Sequence, residues 1–359
     1  MSTNPLLART ETFCAAYGLR VPILLAPMAG ACPASLSVAV ANAGGLGSCG
    51  ALLMQPAAIK AWAAEVRAGS NGGFNLNLWI PDPPPQRDAA AEGAVRAFLG
   101  RWGPEVAREA ADVKPPDFDA QCEALLEAGP TIVSSIMGLY PEALVARMKA
   151  QGIRWFANAT TVAEAKAAEA AGADVIVAQG MEAGGHRGAF DASRAQTELV
   201  GLFALLPAIV DAVKVPVVAT GGIADARGIA AALMLGASAV QIGTGFLRCP
   251  EAKIAPAWAD AIGHAQPEQT LVTRAFSGRP GRSVATAYAR AATTAPDAPP
   301  PAPYPVQRAL TQAMRDAGTK DNDIDRIQAW AGQSARLAMA KPAADVVREL
   351  WSGAQALLR

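Results

Sequence analysis

The chain has 359 residues, its 31 Lys and Arg balance its 31 Asp and Glu, and 52% of its residues are hydrophobic. A neutral chain does not fit a nucleic-acid-binding protein, which needs a basic surface to neutralise phosphates. The high apolar fraction does not fit a disordered chain. The five cysteines form no C-x-x-C pair and no pattern with the two histidines, so we expect neither a metal site nor a disulfide framework.

A membrane location is not expected either. No stretch approaches the roughly 20 apolar residues of a membrane span. The first residues also lack the basic and apolar regions of a signal peptide. We therefore expect a cytoplasmic protein. Its oligomeric state, monomer or dimer, is not predicted by the sequence.

Short apolar runs alternate with helical patterns along the first two thirds of the chain. Eight runs are predicted as strands, at residues 21–26, 46–50, 74–79, 131–136, 153–158, 174–179, 216–220 and 239–243. Helical patterns between them lie at 35–43, 141–150, 161–171, 197–213 and 224–235. Strands separated by helices pair in parallel through right-handed crossovers, and eight repeats are the number in an α/β fold of the (β/α)8 or TIM barrel type. A doubly wound sheet is the alternative.

Two regions do not follow this repeat. Residues 80–118 contain seven prolines and are predicted as an insertion after the third strand. Beyond the eighth strand, residues 324–337 and 343–357 have helical spacing. We therefore expect a barrel over residues 1–250, including the insertion, and a mostly helical C-terminal segment over residues 251–359 that packs on the barrel.

Glycine-rich sequences follow the seventh and eighth predicted strands. The first includes Gly221 and Gly222 directly before a helix, and the second includes Gly243 and Thr244. Phosphate commonly binds at these strand ends in TIM barrels. Helix N-termini bind anions, and glycine lets a phosphate approach closely. The two ends together predict a phosphate site, although either alone could be a tight strand-to-helix turn.

His186 lies between glycines in the loop that follows the sixth predicted strand. A side chain that titrates near neutral pH at this end of a barrel can move a proton or stabilise a developing charge. His264 lies in a polar, loop-like stretch and is expected on the surface. Arg279 and Arg282 fit an anion site and a solvated loop equally well.

Other strand ends carry further candidates. Asn75 and Asn77 lie two residues apart, so they share one face of the third strand. Amides inside a barrel are unusual unless they bind something, and a planar ring with several donors and acceptors would suit them. Pro27 and Met28 end the first strand, where they either face the mouth of the barrel or form a plain turn with a core methionine.

Several of these motifs, taken together, resemble a known family. They are APMAG at 26–30, NAGGLG at 42–47, FNLNL at 74–78, the segment 179–188, ATGGI at 219–223, QIGT at 241–244, SGR at 277–279 and WAGQ at 330–333. In this order, over roughly residues 20–335, they resemble the nitronate monooxygenases, formerly called 2-nitropropane dioxygenases, which are FMN-dependent barrel enzymes. The EAGGH sequence at 182–186 is the most specific of them.

The resemblance implies a non-covalent FMN and a role for each matching residue. His186 would be the catalytic residue at the flavin ring, and Tyr304 would lie on the substrate side. The insertion at 80–118 departs from the shorter family pattern, which bears on substrate size more than on flavin binding. The implied flavin-binding residues are Pro27, Met28, Asn75, Asn77, Gln179, Gly184, Gly185, Gly221, Gly222, Gln241, Ile242, Gly243 and Thr244.

The resemblance also implies a reaction. An alkyl nitronate such as propionate 3-nitronate would give one electron to FMN, forming a flavin semiquinone, and O2 would then take part to give a carbonyl compound plus nitrite or nitrate. On a nitroalkane, His186 would first remove the α-proton. Two alternatives stay open: an NAD(P)H-dependent flavin reductase on the same scaffold (a quinone or enoyl reductase), and a non-catalytic flavin- or phosphate-binding barrel.

Overall fold

The computed structural model describes residues 5–70 and 73–359. Eight of its strands form one parallel sheet in the order 1-9-8-6-5-4-3-2. A bridge between Leu24 and Leu46 joins the two edge strands, so the sheet closes into a barrel. The (β/α)8 fold is confirmed and the doubly wound alternative is excluded. The strands are β1 (Ile23–Leu25), β2 (Gly47–Gly50), β3 (Phe74–Trp79), β4 (Ile132–Ile136), β5 (Arg154–Ala159), β6 (Val175–Gln179), β7 (Gly185–His186), β8 (Val217–Thr220), β9 (Ala239–Ile242), β10 (Thr270–Thr273) and β11 (Gly281–Val284).

Helices surround the barrel and continue beyond it. They are α1 (Pro5–Tyr17), α2 (Ala34–Asn42), α3 (Pro56–Gly69), α4 (Ala89–Leu99), α5 (Phe118–Ala128), α6 (Glu142–Ala150), α7 (Val162–Ala170), α8 (Leu202–Val210), α9 (Ala226–Met234), α10 (Pro256–His264), α11 (Ala287–Thr294), α12 (Val306–Leu310), α13 (Gln312–Lys320) and α14 (Ala343–Leu357). Within residues 5–70 and 73–359, no helix combines the length and apolarity needed to cross a bilayer.

The amino-terminal end of the barrel is filled by side chains. The first residues of several strands, such as Ile132 and Val175, are fully buried there. Helix α1 covers them, because Phe13 and Tyr17 pack on Phe156 with ring centroids 6.2 and 5.0 Å apart. Burial of these rings away from water stabilises this end. A cleft lies at the opposite, carboxyl-terminal end.

The insertion and the C-terminal segment share a second apolar core. Val95, Phe98 and Leu99 of the insertion, in α4, pack in one buried cluster with side chains of the C-terminal segment, among them Phe276, Tyr288, Leu310 and Met314. An ion pair of 2.8 Å between Asp82 and Arg279 joins the same two regions. Residues 80–117 therefore leave the barrel after β3 and return to it at α5.

The predicted helix at 324–337 is wrong. These residues form turns and end in a short 3-10 turn, Ala335–Leu337. Their backbone groups bond to neighbouring loops instead, because Gly332 N donates to Thr244 Oγ1 (3.0 Å) and Gln333 N donates to the Glu182 carbonyl (2.9 Å). Such tertiary bonds outweigh a local helical preference.

The other differences from the predicted elements are smaller. The helix expected at 197–213 covers only Leu202–Val210, where the Glu182 carboxylate accepts a hydrogen bond from Leu202 N. The C-terminal segment is not helical throughout, since β10 and β11 form an antiparallel sheet with β7 of the barrel loop. The division into two units at residue 250 stays a prediction.

Candidate active site

The cleft at the carboxyl-terminal end of the barrel collects side chains from residues that are far apart in the sequence. It lies where β1, β3, β6, β8 and β9 end, as the sequence predicts for a barrel enzyme. Twelve of the predicted site residues line it: Pro27, Met28, Asn77, Gln179, Gly184, Gly185, His186, Gly221, Gly222, Gln241, Gly243 and Thr244.

Three predicted site residues lie elsewhere. Asn75 is buried below the cleft, where its Nδ2 donates to Ser48 Oγ (3.3 Å). Ile242 is buried in the barrel core. Tyr304 lines a neighbouring cavity and packs on Trp79, with ring centroids 5.3 Å apart. Any contact of these three with a ligand in the cleft stays a prediction.

The glycine turn after β8 has a backbone that other residues rarely adopt. Gly221 and Gly222 have φ angles of +105° and +70°, in the region that favours glycine. The N-terminus of α9 is not open to a ligand in the way the sequence suggests, because the Asp225 carboxylate caps it through Gly228 N (3.0 Å). The turn at 221–223, Gly243 and Thr244 line the cleft.

Asn158 offers an unused donor to the cleft. It lies on β5, lines the cleft and is 7% exposed. Its Nδ2 is buried without a hydrogen-bond partner among the described residues. Buried amides are normally paired, so a ligand that carries an acceptor, such as the ring system of a flavin, fits this position. Asn158 was not predicted from the sequence, although it ends a predicted strand at the catalytic end.

Gln179 acts on the loop that carries His186. Its Nε2 donates to the His186 carbonyl (3.2 Å), and its Oε1 accepts from Gly188 N (2.8 Å). Both ends of the amide are therefore used to hold residues 186–188 against β6. A direct contact between Gln179 and flavin stays a prediction.

The His186 ring is enclosed by residues from three other segments. Its Nε2 lies 2.7 Å from Ser277 Oγ. Trp79 and Trp330 flank it, with ring centroids 4.6 and 4.8 Å away. The backbone of His186 pairs with Gly281 of β11, so a short ladder fixes where the ring enters the cleft. Sequence reasoning missed Ser277, Trp79 and Trp330 as neighbours of this histidine.

The environment keeps His186 neutral. Burial lowers the pKa of the imidazole from 6.5 to about 3, and the positive charges of Arg279 and Arg308 act in the same direction. Both causes disfavour the imidazolium. At neutral pH the ring is therefore an uncharged group with one N–H donor and one acceptor nitrogen.

The arginines near the site have different roles. Arg279 Nη1 forms two 2.8 Å bonds to the Asp82 carboxylate, and Arg282 donates to the Met181 carbonyl (3.1 Å). Both side chains are buried and already bonded within the protein. They are therefore neither part of a solvated loop nor free to bind an anion, which were the two predicted alternatives. Arg308, which the sequence analysis did not select, lines the cleft and forms no ion pair with any residue that the structure describes. Its Nη1 donates only a long 3.4 Å bond, to Gln312.

His264 lies far from this chemistry. It is exposed, as predicted, but it is the last residue of α10 and not part of a loop. Its Nδ1 lies 2.8 Å from the Asp260 carbonyl, one helical turn earlier. His186 is therefore the histidine of the cleft.

Comparisons with known proteins agree with this geometry. A family model described as nitronate monooxygenase matches residues 12–353. The chain belongs to the nitronate monooxygenase family. A nitronate monooxygenase of Paraburkholderia phytofirmans is 39% identical over 93% of this chain and 92% of its own length. One of Pseudomonas aeruginosa is also 39% identical, over 95% of this chain and 98% of its own.

A solved structure of a nitroalkane oxidase from Streptomyces ansochromogenes is also similar. Its TM-score is 0.88 at 34% identity, over 96% of this chain and all of that one (100%). As a member of the nitronate monooxygenase family, the protein is an oxidoreductase, and the resemblance drawn from its sequence motifs is confirmed.

Proposed function

We propose that this protein is an FMN-dependent nitronate monooxygenase, which oxidises alkyl nitronates with O2 to a carbonyl compound plus nitrite or nitrate. The family is flavin-dependent in general. The observation that carries the proposal is that His186 lines the same cleft as Arg308, an arginine with no ion pair among the described residues. FMN would supply the redox chemistry, and the one-electron route implied by the sequence resemblance stays a prediction.

The residues of the cleft fit FMN at both of its ends. The turn at Gly221 and Gly222 and the segment Gly243–Thr244 would hold the phosphate through backbone N–H groups. Thr244 Oγ1 accepts a bond from Gly332 N, which leaves its hydroxyl proton for a phosphate oxygen. Asn77 and Asn158 line the other part of the cleft and would bond the polar edge of the ring.

His186 would hold or accept a proton at Nδ1. If the Ser277 hydroxyl donates to the Arg279 carbonyl (3.2 Å), Nε2–H of His186 donates to Ser277, and Nδ1 keeps a lone pair. That lone pair can take the α-proton of a nitroalkane. In the other tautomer, Nδ1–H donates to a nitronate oxygen. Ser277 therefore fixes the orientation of the ring for either substrate.

Arg308 would bind the negative charge of the substrate. A nitronate is an anion, and Arg308 is a guanidinium at the cleft with a long hydrogen bond and no carboxylate partner among the described residues. The charge of Arg308, which contributes to the lowered pKa of His186, also attracts an anion into the cleft. Charge on the substrate is therefore stabilised by the protein without protonating His186.

The substitution His186→Asn tests the proposal. It removes the acid–base group but keeps a polar side chain of similar reach, so we expect kcat/KM for ethyl nitronate and for nitroethane to fall at least about 100-fold. The bound flavin, followed by visible absorbance, should remain. The matched control is His264→Asn at the other, exposed histidine, which should keep the wild-type rate.

Three results would contradict the proposal. One is a His186→Asn variant that oxidises ethyl nitronate as fast as the wild type. The second is rapid anaerobic bleaching of the bound flavin by NADH in a protein that does not oxidise nitronates, which would favour the reductase alternative. The third is a purified protein without flavin, which would favour a non-flavin barrel.

A further inference from the structure

A second cavity lies beside the cleft and belongs largely to the insertion. It has a volume of about 410 Å³. Its walls include Pro83, Pro84 and Pro115 from the insertion, Phe118 at the start of α5, and Val306 of α12. A cavity of this size is within the range of small-molecule sites. The proposed chemistry at His186 does not require it.

The charged groups and the amide in this cavity wall are already paired. Asp82 is bonded to Arg279, and Arg87 to Glu92 and Asp112. The Gln121 amide donates to the backbone carbonyls of Ala51, Leu52 and Met54. A charged or strongly polar ligand would find no free ionic partner among these groups, whereas the proline, valine and phenylalanine side chains offer apolar contact. The chemistry of the cavity therefore suits a hydrocarbon.

The insertion makes these walls rigid. Proline has a fixed φ angle, and Pro81, Pro83, Pro84 and Pro85 all line the cavity on one stretch of chain. A second stretch contributes the consecutive pair at 115–116. A wall that is ordered before binding costs less conformational entropy when a ligand enters.

The cavity and the cleft share part of their lining. Trp79 and Leu52 line both spaces. The Trp79 ring contacts the His186 ring on one side, at 4.6 Å between centroids, and the Tyr304 ring of the second cavity, at 5.3 Å. The two spaces therefore meet at Leu52 and Trp79.

We propose that this cavity is a subsite for the hydrocarbon tail of the substrate, with the nitronate head beside His186 and the tail passing between Leu52 and Trp79. This inference rests on the proposed function, and it makes longer alkyl nitronates the preferred substrates. Each methylene that leaves water adds to binding, so each should lower KM about fourfold once the tail enters the cavity.

The test uses two ligand series on the flavin-loaded enzyme. KM is measured for primary nitronates from ethyl to octyl nitronate. Binding is measured by calorimetry for unreactive straight-chain carboxylates from acetate to octanoate, whose anionic head stands in for the nitronate. We expect KM and Kd to fall along both series.

Substitutions at Val113 locate the effect. Val113 lines the second cavity, is 41% exposed and does not line the cleft. Val113→Trp would fill the cavity, and Val113→Asp would place a carboxylate in it. Both substitutions should raise the Kd for octanoate at least about tenfold and leave the Kd for acetate unchanged. The same changes at Leu357, which is 56% exposed on α14, are the matched controls.

The outcomes separate this inference from the proposed function. The subsite would be overturned if KM and Kd did not depend on chain length. It would also be overturned if the Val113 variants changed the Kd values of acetate and octanoate equally. Either result would count even if ethyl nitronate is oxidised well. Chain-dependent carboxylate binding in a protein that oxidises no nitronate would support the subsite and overturn the proposed reaction.

Discussion

At the scale of the residue, the state of His186 is set by its surroundings. Ser277 bonds Nε2 and two tryptophans enclose the ring, while burial and two arginines keep it neutral. The sequence predicted the importance of His186 from its place after the sixth strand. It could not predict that Ser277 contacts His186 or that Arg308 lines the cleft, because these residues come from segments whose position over the barrel depends on tertiary packing.

The lowered pKa of His186 makes a prediction for stability against pH. The folded ring binds a proton only near pH 3, whereas the ordinary value is 6.5. Between these values the unfolded chain binds more protons, so the free energy of unfolding falls as the pH is lowered below 6.5. The contribution of this one group approaches about 1.4 kcal/mol per pH unit.

Urea unfolding at several pH values between neutral and about pH 4 measures this slope. We expect His186→Asn to lose stability less steeply on acidification than the wild type, with His264→Asn keeping the wild-type slope. Parallel curves for the wild type and His186→Asn would show that the pKa of His186 is not lowered in the folded protein.

At the scale of the element, the loop at 328–334 closes one side of the active site. It carries Trp330 against His186 and is bonded to Thr244 and to the Glu182 carbonyl. The sequence predicted a helix here because the apolar spacing fits one. The eight strands could be predicted, since buried parallel strands have continuous apolar runs, but bonds between distant loops leave no local pattern.

This loop packs so closely against Gly184 that residue 184 has no room for a side chain. A Cβ at Gly184 would lie 2.5 Å from Gly332 N and 2.6 Å from Ala331 C, both backbone atoms. Gly184→Ala should therefore displace the loop and Trp330, lower kcat/KM on the order of 100-fold, as small misplacements do, and destabilise the protein by about 1–3 kcal/mol.

Gly93→Ala is the control for this substitution. Gly93 lies in α4, and the nearest atom to a Cβ there is Arg96 Nη2 at 3.9 Å, so alanine should favour the helix without a clash. Steady-state kinetics of both variants measures the change in kcat/KM, and thermal unfolding measures the change in stability. A Gly184→Ala enzyme with wild-type kinetics would show that the loop can move without cost to the site.

At the scale of the whole molecule, two cores stabilise one protein. The barrel core is joined to a second core that the insertion and the C-terminal segment build together. The prolines of residues 80–118 predicted a departure from the barrel repeat. They did not predict that the insertion packs on the C-terminal segment, because the two groups of residues in the second core are separated by about half of the chain.

Leu310 tests how far the second core contributes. It is fully buried in this core, so Leu310→Ala should lower the free energy of unfolding by about 2–5 kcal/mol. Leu357→Ala, at an exposed position, should change it by less than about 0.5 kcal/mol. Denaturant unfolding followed by fluorescence and by flavin release measures both.

A loss below about 1 kcal/mol for Leu310→Ala would mean that the second core adds little to stability. Flavin release at lower denaturant than barrel unfolding would instead show that the second core opens first. Coincident transitions are expected, because β11 pairs directly with β7 of the barrel loop.

Helix α1, packed over the amino-terminal end of the barrel, has a practical consequence. Because aromatic rings block that end, the described cleft opens at the opposite, carboxyl-terminal face of the barrel. A ligand of the cleft would therefore enter and leave at that face. A linker attached to the solvent-facing side of α1 would hold the enzyme on an electrode or bead with the cleft facing the solution.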